Sequence, residues 1–97
     1  MMKRAAQDEV VWAIKRAKLK PFDKQVDVII HWIEPNMKRD KDNIRFAAKF
    51  ILDALVQTKI IPNDNWKWIG SISDHYWVHK KNPRIVVELI EVTNENH

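Results

Sequence analysis

Residues 24–35, KQVDVIIHWIEP, are the part of this chain that most restricts its fold. The segment is rich in β-branched residues and alternates as a β-strand does, with Val28 and Ile30 on one face. Ile29 and Ile33 make the second face apolar as well. A strand that is apolar on both faces is typical of the interior of a sheet. The sequence therefore predicts that this strand is not at a sheet edge.

Two segments have the apolar spacing of a helix. The first is AAQDEVVWAIKRAKL, residues 5–19, which ends in basic residues and is followed by Pro21. Cations suit the end of a helix because of the helix dipole. Its apolar face is predicted to hold Ala6, Val10, Ile14 and Ala17. The second helix is predicted from Asn43 onward, with Ile44, Ala48, Ile51, Leu52 and Leu55 facing inward.

Strand-like segments follow the second helix. Residues 62–65, PNDN, mark a turn, and WKWIGSI, HYWVHK and RIVVELIEV come after it. KKNP, residues 80–83, is predicted to form a hairpin between the last two strands, and Gly70, the only glycine, suits a bulge. The order of elements predicts one small α+β domain over residues 1–97, with a mainly antiparallel sheet packed with two helices.

Composition excludes several kinds of protein. The 97 residues are 45% hydrophobic, which is enough for one domain with a core. The absence of cysteine excludes disulfides, thiolate zinc sites and cysteine nucleophiles. No apolar run approaches the ~20 residues of a membrane span, and no signal peptide opens the chain, so we expect a cytoplasmic protein with no membrane partner. The net charge of +4 favours an acidic partner such as nucleic acid.

Two carboxylates, Asp40 and Asp42, stand among basic residues just before the second helix. Asp42 occupies the expected N-cap position. At 100° per residue, Lys49 and Asp53 return to the face of Asp42, so the lysine can reach back toward the carboxylates. Asp64 lies in the turn after the helix, and a strand returning antiparallel along that helix could bring it near the other two.

Three aspartates and a lysine at one edge would form a site for a hard cation. Oxygen ligands favour Mg²⁺ or Mn²⁺ over zinc. Such a site suits phosphodiester hydrolysis, because the metal activates water and a lysine offsets charge in the transition state. The basic residues that would neutralise flanking DNA phosphates are Lys38, Arg39, Lys41 and Arg45.

Each of these residues also has a simpler interpretation. Asp42 can be a helix cap, Asp64 an ordinary turn residue, and Asp53 the partner of Lys49 four positions earlier. The basic cluster can be a solvated loop. A structural domain without a metal site, or a DNA-binding module without catalysis, is therefore also compatible with the spacing.

Three stretches of the chain resemble the RusA family of Holliday junction resolvases. They are RDKDN at 39–43, KFILDAL at 49–55 and IIPNDNWKWI at 60–69. The family pattern is an Asp-x-Asp-Asn motif, a lysine four positions before an Asp-Ala-Leu, and an acidic turn eleven residues after that aspartate. Asp53 and Asp64 have that spacing here.

The resemblance implies a RusA-like, magnesium-dependent endodeoxyribonuclease that places paired nicks across a four-way DNA junction as a homodimer. It implies that Asp40, Asp42 and Asp64 bind Mg²⁺ and that Lys49 has a catalytic role. The chain departs from the family in two respects. Lys49 lies about one helical turn further from the motif, and this sequence opens almost inside the first helix, whereas family chains generally begin with an extra strand. A branched-DNA-binding module that keeps the fold without cleaving is the alternative.

Overall fold

The computed structural model describes the backbone of residues 2–93 and the side chains from residue 9 onward. In chain order the elements are α1 (Met2–Ala17), β1 (Val26–Glu34), α2 (Lys41–Arg45), α3 (Ala48–Gln57), β2 (Ile69–Val78) and β3 (Arg84–Glu91). They form a small α+β domain, as the sequence predicts. Within residues 2–93, none of the helices has both the length and the apolar character needed to cross a bilayer.

β1 lies at the centre of a three-stranded sheet whose order is β2-β1-β3, so its predicted interior position is confirmed. The sheet is mixed: β1 pairs with β2 in parallel and with β3 antiparallel. The predicted hairpin between the last two strands is wrong, because β2 and β3 lie on opposite sides of β1. Their connection crosses the end of β1, where the His79 amide donates to the Glu34 carbonyl at 2.8 Å.

The predicted second helix is divided into α2 and α3. The N-cap of α2 is Asp40, which has extended backbone angles (φ −68°, ψ 145°) and makes no side-chain capping hydrogen bond. Asp42 lies in the first turn of α2, so its predicted capping position is wrong by two residues. The helix is interrupted at Phe46 and Ala47.

The core lies between one face of β1 and the helices. Its largest fully buried side chains include Trp32 and Ile30 from β1 and Ile51 and Leu55 from α3. The remaining members of the predicted inward face of the second helix are Ile44, which is buried, and Ala48 and Leu52, which are partly buried. From α1, Val10 and Ile14 pack against this core, whereas Ala17 is exposed and the side chain of Ala6 lies outside those described.

The predicted bulge at Gly70 is confirmed by the pairing register. Val26 is opposite Ile69 and Val28 is opposite Ile72, so β2 has one more residue than β1 at this point. The carboxylate of Asp27 accepts a hydrogen bond from the Ser71 amide at 2.9 Å. The bulge is therefore held by a side chain of the neighbouring strand.

Candidate nucleic-acid and metal site

The Asp-x-Asp-Asn motif stands at the carboxyl end of the central strand. Asp40 and Asp42 follow β1 after a short loop, and both side chains are exposed. α2 carries them because its first turn begins at Lys41, directly after Asp40. Connections at the carboxyl ends of parallel strands are common positions for functional residues.

α2 contacts β2 through charged and aromatic side chains. The Arg45 Nε lies 3.6 Å from Oδ2 of Asp74, and the Lys41 ammonium lies 5.1 Å from the centre of the Tyr76 ring. The other carboxylate oxygen of Asp74 accepts a hydrogen bond from Nε1 of Trp32 at 2.8 Å. Asp74 thus links the central strand, the edge strand and α2.

Tyr76 is surrounded by charged side chains of both signs. Burial raises the pKa of Tyr76 above its ordinary value, and the carboxylates of Asp74 and Asp42 raise it further, while Arg45 acts in the opposite direction. Asp42 and Asp74 are therefore both close enough to influence one phenol. Asp42 of α2 and Asp74 of β2 are thus two carboxylates that act on the same side chain.

Asp74 is not among the site residues predicted from the sequence. The signal for it was present in the alternation of the strand: Ile72, Asp74 and Tyr76 occupy one face, and that face is turned toward the helices. An aspartate on the covered face of a strand is uncommon unless it has partners. Recognising this required knowing which face of β2 the helices cover.

Asp64 lies away from the other two aspartates. It is exposed in the connection between α3 and β2. This connection adjoins the start of β1, where the Val26 amide donates to the Trp68 carbonyl at 2.9 Å and Gln25 Nε2 donates to the Trp66 carbonyl at 2.7 Å. Because β1 and β2 are parallel, the loop after β1 and the loop before β2 are at opposite ends of the sheet.

The three predicted metal ligands do not fit one ion in this arrangement. Among the residues whose side chains are described, no three histidine, aspartate or glutamate side chains are grouped so that they could hold a metal. β2 brings Asp74 and Tyr76, in its carboxyl-terminal half, near Asp42 and Arg45 of α2. Asp64 lies before the other end of β2.

Lys49 is exposed in the first turn of α3, beyond the break that separates α3 from α2. The count of 100° per residue from Asp42 assumed one continuous helix, so it does not fix the direction of Lys49. In the described part of the chain, Lys49 makes no ion pair with Asp42 or Asp53. Its catalytic role stays a prediction.

The four basic residues predicted to contact DNA are all exposed around the motif. Arg39 lies 3.6 Å from a carboxylate oxygen of Glu34, which orients it beside the end of β1. Met37 and Phe46, which are 87% and 76% exposed, stand on either side of this basic segment. Phe46 lies at the interruption between α2 and α3, and no sequence pattern distinguished it. Exposed aromatic and basic side chains together are suited to nucleic acid.

In the comparisons with known proteins, neither a family model nor a curated protein matches this chain. The resemblance to the RusA resolvases therefore depends on the three motifs quoted above.

Proposed function

We propose that this chain is a magnesium-dependent endodeoxyribonuclease of the cytoplasm that cleaves four-way DNA junctions by paired nicks as a homodimer. The observation that carries the proposal is the position of the Asp-x-Asp-Asn motif. Asp40 and Asp42 are exposed at the carboxyl end of the central strand, and Asp42 and Asp74 both act on the Tyr76 phenol. The exposed basic side chains around them suit a phosphate backbone.

The residues at this end of the sheet suit the way in which Mg²⁺ is usually held. This ion commonly takes one or two protein carboxylates and completes its shell with waters and substrate phosphates. Asp40 and Asp42 would supply the carboxylates, with Mn²⁺ as a substitute ion. When bound, the metal would polarise the phosphoryl group and lower the pKa of an attacking water. Lys49 would offset the charge of the transition state.

A DNA-binding module without catalysis is the second candidate. The separation of Asp64 from Asp40 and Asp42 favours it, because a site that needed all three carboxylates would be incomplete in this arrangement. The basic segment would still contact phosphates. Binding to branched DNA would then be independent of Mg²⁺.

Single-turnover cleavage of a synthetic four-way junction, with binding measured in parallel in Ca²⁺, tests these candidates. Replacing Asp40 and Asp42 together by Asn should abolish nicking and leave junction binding intact, since Asn keeps the side-chain volume. Asp23→Asn is the matched control, because Asp23 is an exposed aspartate before the opposite end of β1. Asp64→Asn shows whether that residue takes part.

The outcomes separate the candidates. Unchanged nicking by the double Asn variant would refute the assigned site. Tight junction binding by the wild-type protein without nicking in Mg²⁺ or Mn²⁺ would favour the binding module. Absence of both binding and nicking would contradict both candidates.

A further inference from the structure

The sheet has one face that no described helix covers. We call it the open face, and its side chains are Asp27, Ile29, His31 and Ile33 from β1, Ser73, His75 and Trp77 from β2, and Arg84, Val86, Glu88 and Ile90 from β3. The core cluster and its partly buried neighbours lie on the other face. A sheet in a small domain usually has its apolar side chains covered by another layer.

The open face is more apolar than a surface that meets only water requires. Trp77 is 54% exposed, Ile90 48% and Val86 38%. Ile29 and Ile33 lie between them on the central strand. An antiparallel strand pair with one solvated face typically has polar side chains there. Here apolar side chains continue across all three strands.

The polar groups at the centre of the open face bind one another. Trp77 Nε1 donates to Nδ1 of His31 at 3.0 Å, and Nε2 of His31 lies 2.6 Å from a carboxylate oxygen of Glu88. The rings of His31 and His75 are stacked, with centroids 5.3 Å apart. Burying an unpaired polar group is costly, whereas burying a hydrogen-bonded one is not. The face can thus be covered without leaving the indole or the His31 imidazole unpaired.

The charges of the open face are divided between its two ends. Arg84 is opposite Ile33 at one end, while Asp27 is opposite Ile90 at the other and Glu88 is opposite Ile29. In a two-fold pairing with antiparallel strands, the basic end of one face meets the acidic end of the other. A two-fold interface is self-complementary by construction. A polyanion such as DNA would instead meet Asp27 and Glu88, which oppose its binding.

From these observations we infer that the open face is the surface through which two copies of this chain associate, sheet against sheet, with the strands of the two copies antiparallel. The contact would have an apolar centre around Trp77 and Val86, as two packed sheets do. This names the surface of the proposed homodimer, and it does not depend on whether the protein cleaves DNA. Its test below involves no DNA binding or cleavage.

Sedimentation equilibrium of the full chain tests the inference. The wild-type protein should have twice the 11.6 kDa mass of one chain. Val86→Glu should weaken association at least about tenfold, because it places a charge in the apolar centre close to Glu88 of the second copy. Ile85→Glu is the matched control: Ile85 is the preceding residue, 48% exposed, on the other face of β3. It should leave association unchanged. Circular dichroism and thermal unfolding verify that both variants fold.

A second measurement uses the absence of native cysteine. Two sheets packed face to face lie about 10 Å apart, which is too far for a disulfide but within reach of a short bismaleimide. This reagent should therefore cross-link Val86→Cys into a dimer, and it should not cross-link Ile85→Cys. A wild-type protein that is monomeric at high micromolar concentration would overturn the inference. So would a folded Val86→Glu variant that remains dimeric, or a dimer that only Ile85→Glu dissociates.

Discussion

At the scale of single residues, the bulge in β2 depends on the missing side chain of Gly70. A Cβ atom at this position would lie 2.5 Å from Oδ1 of Asp27, the oxygen that accepts the Ser71 amide. Gly70→Ala should therefore displace that carboxylate and lower the free energy of unfolding by about 1–2 kcal/mol in urea titrations. The φ angle of Gly70 is not positive, so backbone strain does not contribute.

A double-mutant cycle isolates this contact. In an Asp27→Ala background the Gly70→Ala substitution should cost clearly less, since the displaced carboxylate is gone. An equal cost in both backgrounds would show that the bulge excludes a side chain for another reason. The bulge was predictable because Gly70 is the only glycine in the chain. The contact with Asp27 was not predictable from the sequence, because it depends on the strand register between Asp27 and Ser71, which are 44 residues apart in the chain.

Tyr76 gives a second residue-scale prediction, concerning pH. Its pKa is raised above the ordinary value of 10.0 by burial first and then by Asp74 and Asp42. Above pH 10.0 the unfolded chain loses this proton before the folded chain does, so the folded state binds more protons and stability falls as pH rises. Tyr76→Phe should remove this contribution to the alkaline loss of stability.

The measurement is direct because Tyr76 is the only tyrosine. The absorbance of tyrosinate in the folded wild-type protein should develop at a higher pH than in the urea-unfolded chain. Equal midpoints in the two states would contradict the proximity of Asp42 and Asp74 to the phenol. Arg45→Ala should move the folded midpoint further upward, since the Arg45 guanidinium opposes the two carboxylates.

At the scale of secondary-structure elements, α3 ends in a left-handed turn that contains no glycine. Lys59 has a φ of 63°, its amide donates to the Val56 carbonyl, and the Ile60 amide donates to the Leu55 carbonyl at 3.0 Å. This is the Schellman pattern of helix termination. Lys59→Gly should raise the free energy of unfolding by about 1 kcal/mol, because a β-carbon is unfavourable at this φ.

A second lysine-to-glycine substitution is the control, and it should change the free energy of unfolding in the opposite direction. Lys15→Gly, at an exposed position inside α1, should lower stability by about 1 kcal/mol because glycine is a poor helix former. Thermal unfolding of both variants measures the two effects. A loss of stability on Lys59→Gly would show that its side chain contributes more than the relieved strain. The sequence did not reveal this helix end, since lysine is not a recognisable signal for a left-handed turn.

At the scale of the whole molecule, the sequence predicted the elements better than their pairing. The two apolar faces of β1 correctly indicated a central strand, because burial on both faces requires neighbours on both sides. KKNP is a good local turn, which favoured a hairpin between β2 and β3. The central position of β1 separates those strands, so pairing between residues far apart in the chain determined the topology.

The parallel pairing of β1 with β2 also determined which residues meet at the candidate site. The motif at Asp40 and Asp42 could be located from spacing, because it depends only on the loop after β1. The nearby carboxylate of Asp74 could not be located from spacing. Its position follows from the parallel pairing of β2, which brings Asp74 near the motif and places Asp64 at the other end of the sheet. Local sequence patterns do not distinguish a parallel from an antiparallel neighbour when the strand is apolar on both faces.

The electrostatics of the whole site predict how DNA binding depends on salt. Each phosphate neutralised by a basic side chain contributes about −0.9 to the slope of log affinity against log salt concentration. Lys38 is exposed and, among the described residues, takes part in no ion pair. Lys38→Ala should therefore make the slope less negative by about 0.9. Fluorescence anisotropy with a labelled four-way junction, from low to physiological salt, measures it.

Arg45 should behave differently from Lys38 in the same experiment. Its guanidinium also faces Asp74 at 3.6 Å. In the proposed binding mode, Arg45→Ala would remove a phosphate contact and leave the Asp74 carboxylate uncompensated. The loss of affinity should therefore exceed that of Lys38→Ala, and Arg45→Ala combined with Asp74→Asn should recover part of it. Lys24→Ala, before the opposite end of β1, is the control and should leave affinity and slope unchanged. If Lys24→Ala changed the slope as much as Lys38→Ala, the DNA would not be bound specifically at the motif.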